Sequence, residues 1–313
     1  HRVDRRQRQM CIRDRVNTNI DNEVRRKLKE KFFNTGKVNL NYAEGPQNGP
    51  ALLLLHGGSS RWQSFEPLIP DLQDSWHIYA LDLRGHGKSG RIHNGYRIQD
   101  YVPDIEVFIK DCIKQPAIIF GHSLGGMIAI MVASSNPEVT KAVIIGDSPI
   151  SIEVLKEHSE KQKEMTILWR ELAKTKSTEH VITKLKQMLI PIPNKEELAP
   201  AYKVFGEDNP WFTFMAENLS QNDPDMLTAI IDNFDDTYAQ YQIDELLPQI
   251  ECPVLILQGN PDLGGLIRDI DIKRSLNLLP NVQHMKINTV GHALHMQDKE
   301  TVKDAIIPFM KSL

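Results

Sequence analysis

The chain has few cysteines, little excess of charge of either sign and no long apolar run. Its 313 residues include Cys11, Cys112 and Cys252, and this odd, widely spaced set argues against a disulfide framework and against a zinc site. The formal net charge is −4, which gives no electrostatic reason to expect a nucleic acid or an anionic membrane as a partner. No segment approaches the roughly 20 apolar residues of a membrane-spanning helix. We therefore expect a globular, cytoplasmic protein, either a monomer or a homodimer.

Residues 1–15 differ in composition from everything that follows. They contain six arginines and no apolar periodicity, and residues 10–14 (MCIRD) resemble the translation of a sequencing-library adapter. We expect this segment to be foreign to the folded protein and the native start, with any targeting signal, to be missing. The alternative is a basic arm that binds polyanions, although no aromatic or helical pattern accompanies the charges.

Apolar runs alternate with helical patterns over residues 16–147 and 224–313. Runs without polar residues are typical of buried parallel strands, and they occur at residues 51–55, 78–81, 117–120, 143–146 and 253–257. A strictly alternating stretch at residues 36–43 predicts an antiparallel edge strand. The alternation of strands and helices predicts an α/β fold with a mainly parallel sheet and helices on both faces.

Residues 148–223 break this alternation, because they show charged helical patterns and no strand pattern. They also contain an aromatic cluster that includes Trp169, Trp211 and Phe214. We predict an inserted helical cap whose aromatic residues face either its own core or a substrate pocket. Trp169, Trp211 and Phe214 are our candidates for the pocket wall, together with His122 from the α/β core.

Ser123 lies where a predicted strand meets a predicted helix, within the sequence Gly-His-Ser-Leu-Gly at residues 121–125. Glycines on both sides allow a sharp turn, which lifts the serine oxygen clear of the backbone. The first amides of the following helix can hold a developing oxyanion. This context predicts a nucleophile, whereas the alternative is a tight turn with an idle serine.

Two other loops follow predicted strands. Residues 56–60 (HGGSS) form a glycine-rich loop whose amides could bind an anion, and the alternative is a plain strand-to-helix connection. Residues 82–89 (DLRGHGKS) contain an acid, a base and a serine. We interpret this second loop as structural, held by pairing of the type Asp82 with Arg84.

A serine hydroxyl becomes a nucleophile only when a base takes its proton and a third group orients that base. Asp262 and His292 both follow predicted strands, on the same side of the sheet as Ser123. They also keep the chain order serine, acid, histidine that this sheet class uses. His284 lies within a strand pattern and His295 one helical turn after His292, so both are weaker candidates for the base.

Residues 36–313 resemble an α/β-hydrolase of the large esterase, lipase and lactonase type. The motifs that carry the resemblance are residues 56–58 (HGG), 82–89 (DLRGHGKS), 121–126 (GHSLGG), 259–262 (GNPD) and 291–292 (GH). The resemblance implies Ser123 as nucleophile, His292 as base and Asp262 as acid. It further implies an oxyanion hole from the amides of Gly58 and Leu124, and no metal or cofactor.

The acid has two candidates. Some similar sequences have an aspartate directly before the proline of the GNPD motif, and here that residue is Asn260. Asp147, at the end of an earlier strand, is an alternative position for the acid in this fold. We favour Asp262.

The leading functional hypothesis is hydrolysis of an uncharged carboxylic ester, thioester or lactone through an acyl-enzyme, with a small molecule as the only partner. A serine at position 123 argues against epoxide hydrolase or haloalkane dehalogenase chemistry, which needs a carboxylate there. No metal-ligand cluster, phosphate loop or dinucleotide motif competes. A carbon–carbon bond hydrolase or lyase that uses the same residues, or a weakly catalytic ligand receptor, remain alternatives.

Overall fold

A computed structural model describes residues 28–192 and 197–313. The segment expected to be foreign, residues 1–15, lies outside the described residues. Within the described residues, no helix is long and apolar enough to cross a membrane.

The centre of the molecule is an eight-stranded sheet. Its strands are β1 Lys29–Asn34, β2 Asn39–Glu44, β3 Ala51–Leu55, β4 His77–Leu81, β5 Ala117–His122, β6 Thr140–Gly146, β9 Val254–Gly259 and β10 Val282–Ile287. Their order across the sheet is β1-β2-β4-β3-β5-β6-β9-β10. Only the β1–β2 and β2–β4 pairs are antiparallel, so the prediction of a mainly parallel sheet is confirmed.

The predicted edge strand is β2, but it does not form the edge. Strand β1 pairs outside it, from Lys29 opposite Glu44 to Asn34 opposite Asn39. The alternation of apolar and polar residues in β2 correctly indicated a strand in an antiparallel pair. It does not reveal whether another strand lies beyond, because that depends on a partner elsewhere in the chain.

Helices pack on both faces of the sheet. Their bounds are α1 Ile69–Leu72, α2 Ile98–Val107, α3 Leu124–Ser135, α4 Ile152–Lys161, α5 Lys163–Thr175, α6 Thr178–Gln187, α7 Ala201–Phe205, α8 Pro210–Gln221, α9 Pro224–Asp232, α10 Phe234–Tyr238, α11 Ile243–Leu246, α12 Asp269–Leu278, α13 Leu294–Gln297 and α14 Lys299–Lys311. Single turns of 3₁₀ helix lie at Trp62–Phe65, Pro137–Val139, Leu247–Gln249 and Pro261–Leu263, and a π-helical turn at Phe108–Ile113 extends α2.

Strand β3 shows why both faces of the sheet are covered. Its residues are all buried, and side chains alternate between the two faces along a strand. Leu53 and Leu55 belong to the apolar cluster that includes α3, whereas Leu52 and Leu54 belong to the cluster that includes α1 and α14. Each fully buried leucine contributes about 1.5–3 kcal/mol, so an all-apolar run is stable only in a strand covered on both sides.

The chain between β6 and α9 is mostly helical, in keeping with the helical patterns of residues 148–223. Helices α5, α6 and α8 share a small core that contains Leu172, Val181, Leu185 and Phe212. The segment also contains an antiparallel pair of short strands that the sequence did not indicate, β7 Leu189–Pro191 and β8 Leu198–Pro200. Three residues with a proline are too few to show a period of two. The division into core and cap remains a prediction.

Candidate functional site

Ser123 occupies a strained turn between β5 and α3. Its backbone has φ 51° and ψ −119°, a conformation that costs a residue other than glycine about 1–3 kcal/mol. The turn can form only because neighbouring glycines leave room. A Cβ atom on Gly121 would lie 2.2 Å from the carbonyl oxygen of Gly125, and one on Gly125 would lie 2.1 Å from the carbonyl oxygen of Leu55. The predicted strand, turn and helix around Ser123 are confirmed.

Ser123 is hydrogen-bonded to His292, and His292 to Asp147. The Oγ of Ser123 lies 3.0 Å from Nε2 of His292, and Nδ1 of His292 lies 2.8 Å from Oδ2 of Asp147. Because a carboxylate only accepts hydrogen bonds, Nδ1 carries the hydrogen and Nε2 is free to accept the serine proton. The three side chains therefore form one continuous chain of hydrogen bonds that ends on a buried carboxylate.

Asp147 is fully buried, and each of its carboxylate oxygens is bound. The amide of Gly259 donates to Oδ1 at 2.9 Å, and the amide of Leu266 donates to Oδ2 at 2.8 Å. Asp147 directly follows β6, which lies between β5 and β9 in the sheet. Its side chain can therefore reach both the loop after β9 and His292.

The expectation that Asp262 is the partner of His292 is wrong in this structure. Asp262 is exposed in the short turn Pro261–Leu263, and its amide donates to the side chain of Asn260 at 3.0 Å. The end of β9 and the loop after it contribute backbone amides to the site, because Gly259 and Leu266 donate hydrogen bonds to Asp147. The Asp262 side chain stays in solvent. Asn260 at the position of an expected aspartate was the signal in the sequence that pointed toward Asp147.

His122 lies behind the hydrogen-bonded chain and does not line a pocket, contrary to the expectation. Its Nε2 donates to the carbonyl oxygen of His292 at 2.9 Å, and its ring centre lies 4.7 Å from that of His292. Burial lowers the pKa of His122 well below its usual value, and the neighbouring His295 and His292 lower it further. His122 is therefore neutral and holds the backbone of His292.

His295 lies next to His122, but its ring makes no hydrogen bond like the one from His122 to the His292 carbonyl oxygen. Its ring stacks on Phe65 at 4.7 Å and meets His122 edge to face at 4.6 Å. Neither ring nitrogen has a hydrogen-bond partner in the described part of the chain. Burial first, and then the electrostatic effect of the neighbouring His292, lowers the pKa of His295 to about 3. It fills space as an aromatic residue and is not a base.

The loop after β3 brings Gly58 to the site. Gly58, Ser59 and Leu124 line the same cavity as Ser123, and a Cβ atom on Gly58 would meet nothing within 4 Å. The amide of Ser59 donates to Nε2 of His86 at 3.2 Å, which fixes the end of the loop. Gly58 and Leu124 thus line one cavity with Ser123, and the oxyanion hole from their amides stays a prediction.

The loop at residues 82–89 supports its neighbours, but through pairings other than the expected one. Asp82 accepts hydrogen bonds from the amides of Trp62 and Lys88 and from the Asn41 side chain. Arg84 instead forms a buried ion pair with Asp104, with Nε 2.6 Å from Oδ2. The structural interpretation of the loop fits these contacts, whereas the Asp82–Arg84 pairing is wrong.

A cavity of about 290 Å³ opens above Ser123 and His292. One wall is a single face of α4 and α5, where residues recur every three or four positions. From α4 to the middle of α5, that face presents Leu155, His158, Ser159, Gln162, Met165, Thr166 and Trp169. Leu227, Ile230 and Tyr238 from α9 and α10 also line the cavity.

Trp169 is the only one of the three proposed aromatic wall residues that lines this cavity. Trp211 and Phe214 pack instead against the small core that contains Phe212, and the Phe214 ring lies 6.0 Å from the guanidinium of Arg61. The expectations for Trp211 and Phe214 are wrong because the face of α8 that carries these residues packs toward α6. The 3–4 residue spacing from 155 to 169 places these residues on one face, but it does not show which surface that face covers.

Within residues 28–192 and 197–313, no group of three or more His, Cys, Asp or Glu residues could hold a metal ion.

Comparisons with known proteins show similarity to several hydrolases. A 2-(acetamidomethylene)succinate hydrolase from Mesorhizobium japonicum is 37% identical over 112 residues, which is 36% of this chain and 40% of that relative. A bifunctional esterase/perhydrolase from Acinetobacter calcoaceticus is 25% identical over 286 residues, 86% of this chain and 94% of the relative. The crystal structure of a putative lipase from Acinetobacter baumannii superposes with a TM-score of 0.67 at 23% identity, covering 94% of this chain and 95% of the other.

The match to the M. japonicum hydrolase spans less than half of that relative's length. The similarity therefore does not assign that relative's activity to this chain. The family comparison is broader. A family model described as alpha/beta hydrolase fold matches residues 50–299, which include Ser123, Asp147 and His292. The chain belongs to the α/β hydrolase fold family.

Proposed function

We propose that the protein hydrolyses uncharged carboxylic esters or lactones through an acyl-enzyme on Ser123. The observation that carries this proposal is the unbroken chain of hydrogen bonds from Ser123 through His292 to the buried Asp147. Ser123, at the other end of this chain of hydrogen bonds, is held in a strained turn beside a cavity. The nearly full-length similarity to a protein named as an esterase/perhydrolase supports the same class of chemistry.

In the first half of the proposed reaction, Nε2 of His292 takes the Ser123 proton while Oγ attacks the ester carbonyl carbon. The carbonyl oxygen becomes an oxyanion, which the amides of Gly58 and Leu124 hold. His292 then gives its proton to the leaving alcohol, and the acyl group stays on Ser123. In the second half, His292 activates a water that releases the acid and restores the serine.

Asp147 has two roles in this scheme. Its carboxylate keeps the hydrogen of His292 on Nδ1, so that Nε2 faces Ser123, and it stabilises the imidazolium that forms during attack. The amides of Gly259 and Leu266 hold the carboxylate in place. The acid is thus preorganised and does not have to move during the reaction.

The cavity favours a small uncharged substrate. No Asp, Glu, Lys or Arg of the described residues lines it, and a charge without a counter-ion is costly to remove from water. The cavity volume is about 290 Å³. A dicarboxylate, the type of substrate in the name of the M. japonicum relative, would find no cation there.

A serine-directed phosphonate probe and a short aryl ester test the proposal together. We expect the wild type to release the aryl alcohol and to gain one phosphonate by intact mass, whereas Ser123→Ala does neither while its melting temperature stays close to that of the wild type. A carbon–carbon hydrolase or lyase would show no acyl-enzyme when the ester reaction is quenched. Labelling of Ser123→Ala equal to that of the wild type would refute the assignment of the nucleophile.

A further inference from the structure

The wall that α4 and α5 give to the cavity changes in polarity along its length. Leu155 lies at one end and Met165 and Trp169 at the other, while His158, Ser159 and Gln162 lie between them. All of these residues are partly buried. Leu227, Ile230 and Tyr238, which also line the cavity, are apolar apart from one phenol group. A polar strip, formed by His158, Ser159 and Gln162, therefore lies between apolar residues on the α4–α5 wall.

The strip has hydrogen-bonding capacity that the protein does not use. In the described part of the chain, the side chains of His158, Ser159 and Gln162 make no hydrogen bond. The neighbouring Thr166 differs, because its hydroxyl donates to the carbonyl oxygen of Gln162 at 3.0 Å. The three free side chains offer an imidazole, a hydroxyl and an amide, each of which can both donate and accept.

The strip is uncharged at neutral pH. Burial first, and then the electrostatic effects of the neighbouring His292 and Lys161, lowers the pKa of His158 below its usual value. Two charged residues of the same helices, Lys156 and Arg170, do not line the cavity and pair with aspartates elsewhere. Lys156 binds Asp235 at 2.8 Å and Arg170 binds Asp232 at 2.7 Å. The strip therefore suits a neutral hydrogen-bonding group and offers no counter-ion to a carboxylate.

We propose that His158, Ser159 and Gln162 form a subsite for an uncharged hydrogen-bonding group, an amide or a hydroxyl, a few bonds from the scissile carbonyl. The inference rests on the proposed function, since it names the class of ester or lactone that the same site takes. The subsite would favour esters or lactones that carry an amide or a hydroxyl over plain alkyl esters, which would contact only the apolar residues of the cavity. It would also favour them over esters that carry a carboxylate.

Two series of matched esters test this subsite on the acyl side and on the alcohol side. The acyl series compares aryl esters of hexanoic acid, N-acetyl-β-alanine and adipic acid, which have chains of equal length ending in alkyl, amide and carboxylate. The alcohol series compares acetates of 1-pentanol, N-(2-hydroxyethyl)acetamide and 5-hydroxypentanoate in the same way. The readout is kcat/KM for each ester with the wild type and with Gln162→Leu, His158→Phe and Glu160→Gln. Glu160 is on the same helix but is exposed, so it serves as the control.

In at least one series we expect the ratio of amide to alkyl kcat/KM to fall about tenfold in Gln162→Leu and in His158→Phe, as loss of one hydrogen bond predicts. The same ratio should stay constant in Glu160→Gln. The wild type should use the carboxylate ester least in both series. A thermal melt checks folding, and Gln162→Leu decides alone if His158→Phe does not fold.

A ratio that changes less than about twofold in both series, or a wild type that prefers the carboxylate ester, overturns the subsite while leaving ester hydrolysis intact. If the wild type hydrolyses none of these esters and does not react with the phosphonate probe, the proposed function itself is refuted and the subsite with it.

Discussion

Replacing Asp147 by asparagine is the sharpest test of the site, because the chain contains a matched control in Asp262. Both residues are aspartates near strand ends on the same side of the sheet. Asp147 is buried and accepts three hydrogen bonds, from Gly259, Leu266 and His292. Asp262 is exposed. The same chemical change is therefore made once inside the hydrogen-bonded chain and once outside it.

The expected magnitudes follow from those contacts. An asparagine at position 147 has one oxygen and one NH₂ group, so at least one of the three donors faces another donor. A buried donor left unpaired costs about 1–3 kcal/mol of folding free energy. If the NH₂ group faces His292, the ring hydrogen moves to Nε2, where it blocks proton transfer from Ser123. The equivalent change in a serine protease lowers turnover about 10⁴-fold, which is about 5 kcal/mol of transition-state stabilisation.

We expect Asp147→Asn to lose about 10³- to 10⁴-fold in kcat on an aryl acetate, with a melting temperature that falls by several degrees. Asp262→Asn should keep its kcat within about twofold and its melting temperature unchanged, since exposed substitutions of this kind rarely exceed about 0.5 kcal/mol. Stopped-time ester assays and thermal melts measure both. Loss of activity in Asp262→Asn with retention in Asp147→Asn would refute the assignment of the acid.

Three further predictions address the residues around this site. His122→Phe should lower kcat about tenfold with little change in KM, because the donor that holds the His292 carbonyl is lost; His122→Gln, which can still donate, should recover most of the loss, and equal kcat values for the two variants would contradict a positioning role. His295→Phe should weaken the pH dependence of stability. The folded-state pKa of about 3 lies below the unfolded value of 6.5, so the wild type loses up to about 1.4 kcal/mol per pH unit as pH falls below 6.5 and the unfolded chain gains this proton. Urea unfolding between pH 7 and 4.5 measures the two slopes, and identical slopes would show that His295 does not resist protonation. Trp169→Ala should lower kcat/KM for an aryl hexanoate more than for the acetate, whereas Trp211→Ala should lower the melting temperature and leave that ratio unchanged; the opposite pattern would place Trp211 in the cavity.

The sequence by itself determined the features that depend on neighbouring residues. The apolar runs specify strands that must be covered on both faces, as β3 is. The glycines around Ser123 permit a turn that a Cβ atom would forbid. A Cβ atom on Gly121 would meet the carbonyl oxygen of Gly125, four residues further along the chain, whereas the clash at Gly125 is with Leu55 and depends on the packing of β3. The position of His292 after the last strand was also readable, since the carboxyl ends of parallel strands meet at one edge of the sheet.

Only the tertiary structure decided which carboxylate and which aromatic residues belong to the site. Asp147 and Asp262 follow strands that are neighbours in the sheet. The sequence pattern therefore predicts that both residues lie at the same edge of the sheet, and it does not distinguish between them. The choice depends on the path of the loop after β9, whose amides enclose Asp147 and leave Asp262 in solvent. Likewise, Trp169 and Trp211 both lie in helices, and their roles differ because α5 packs beside α9 while α8 packs on α6. Such contacts join residues far apart in the chain, so no local pattern encodes them.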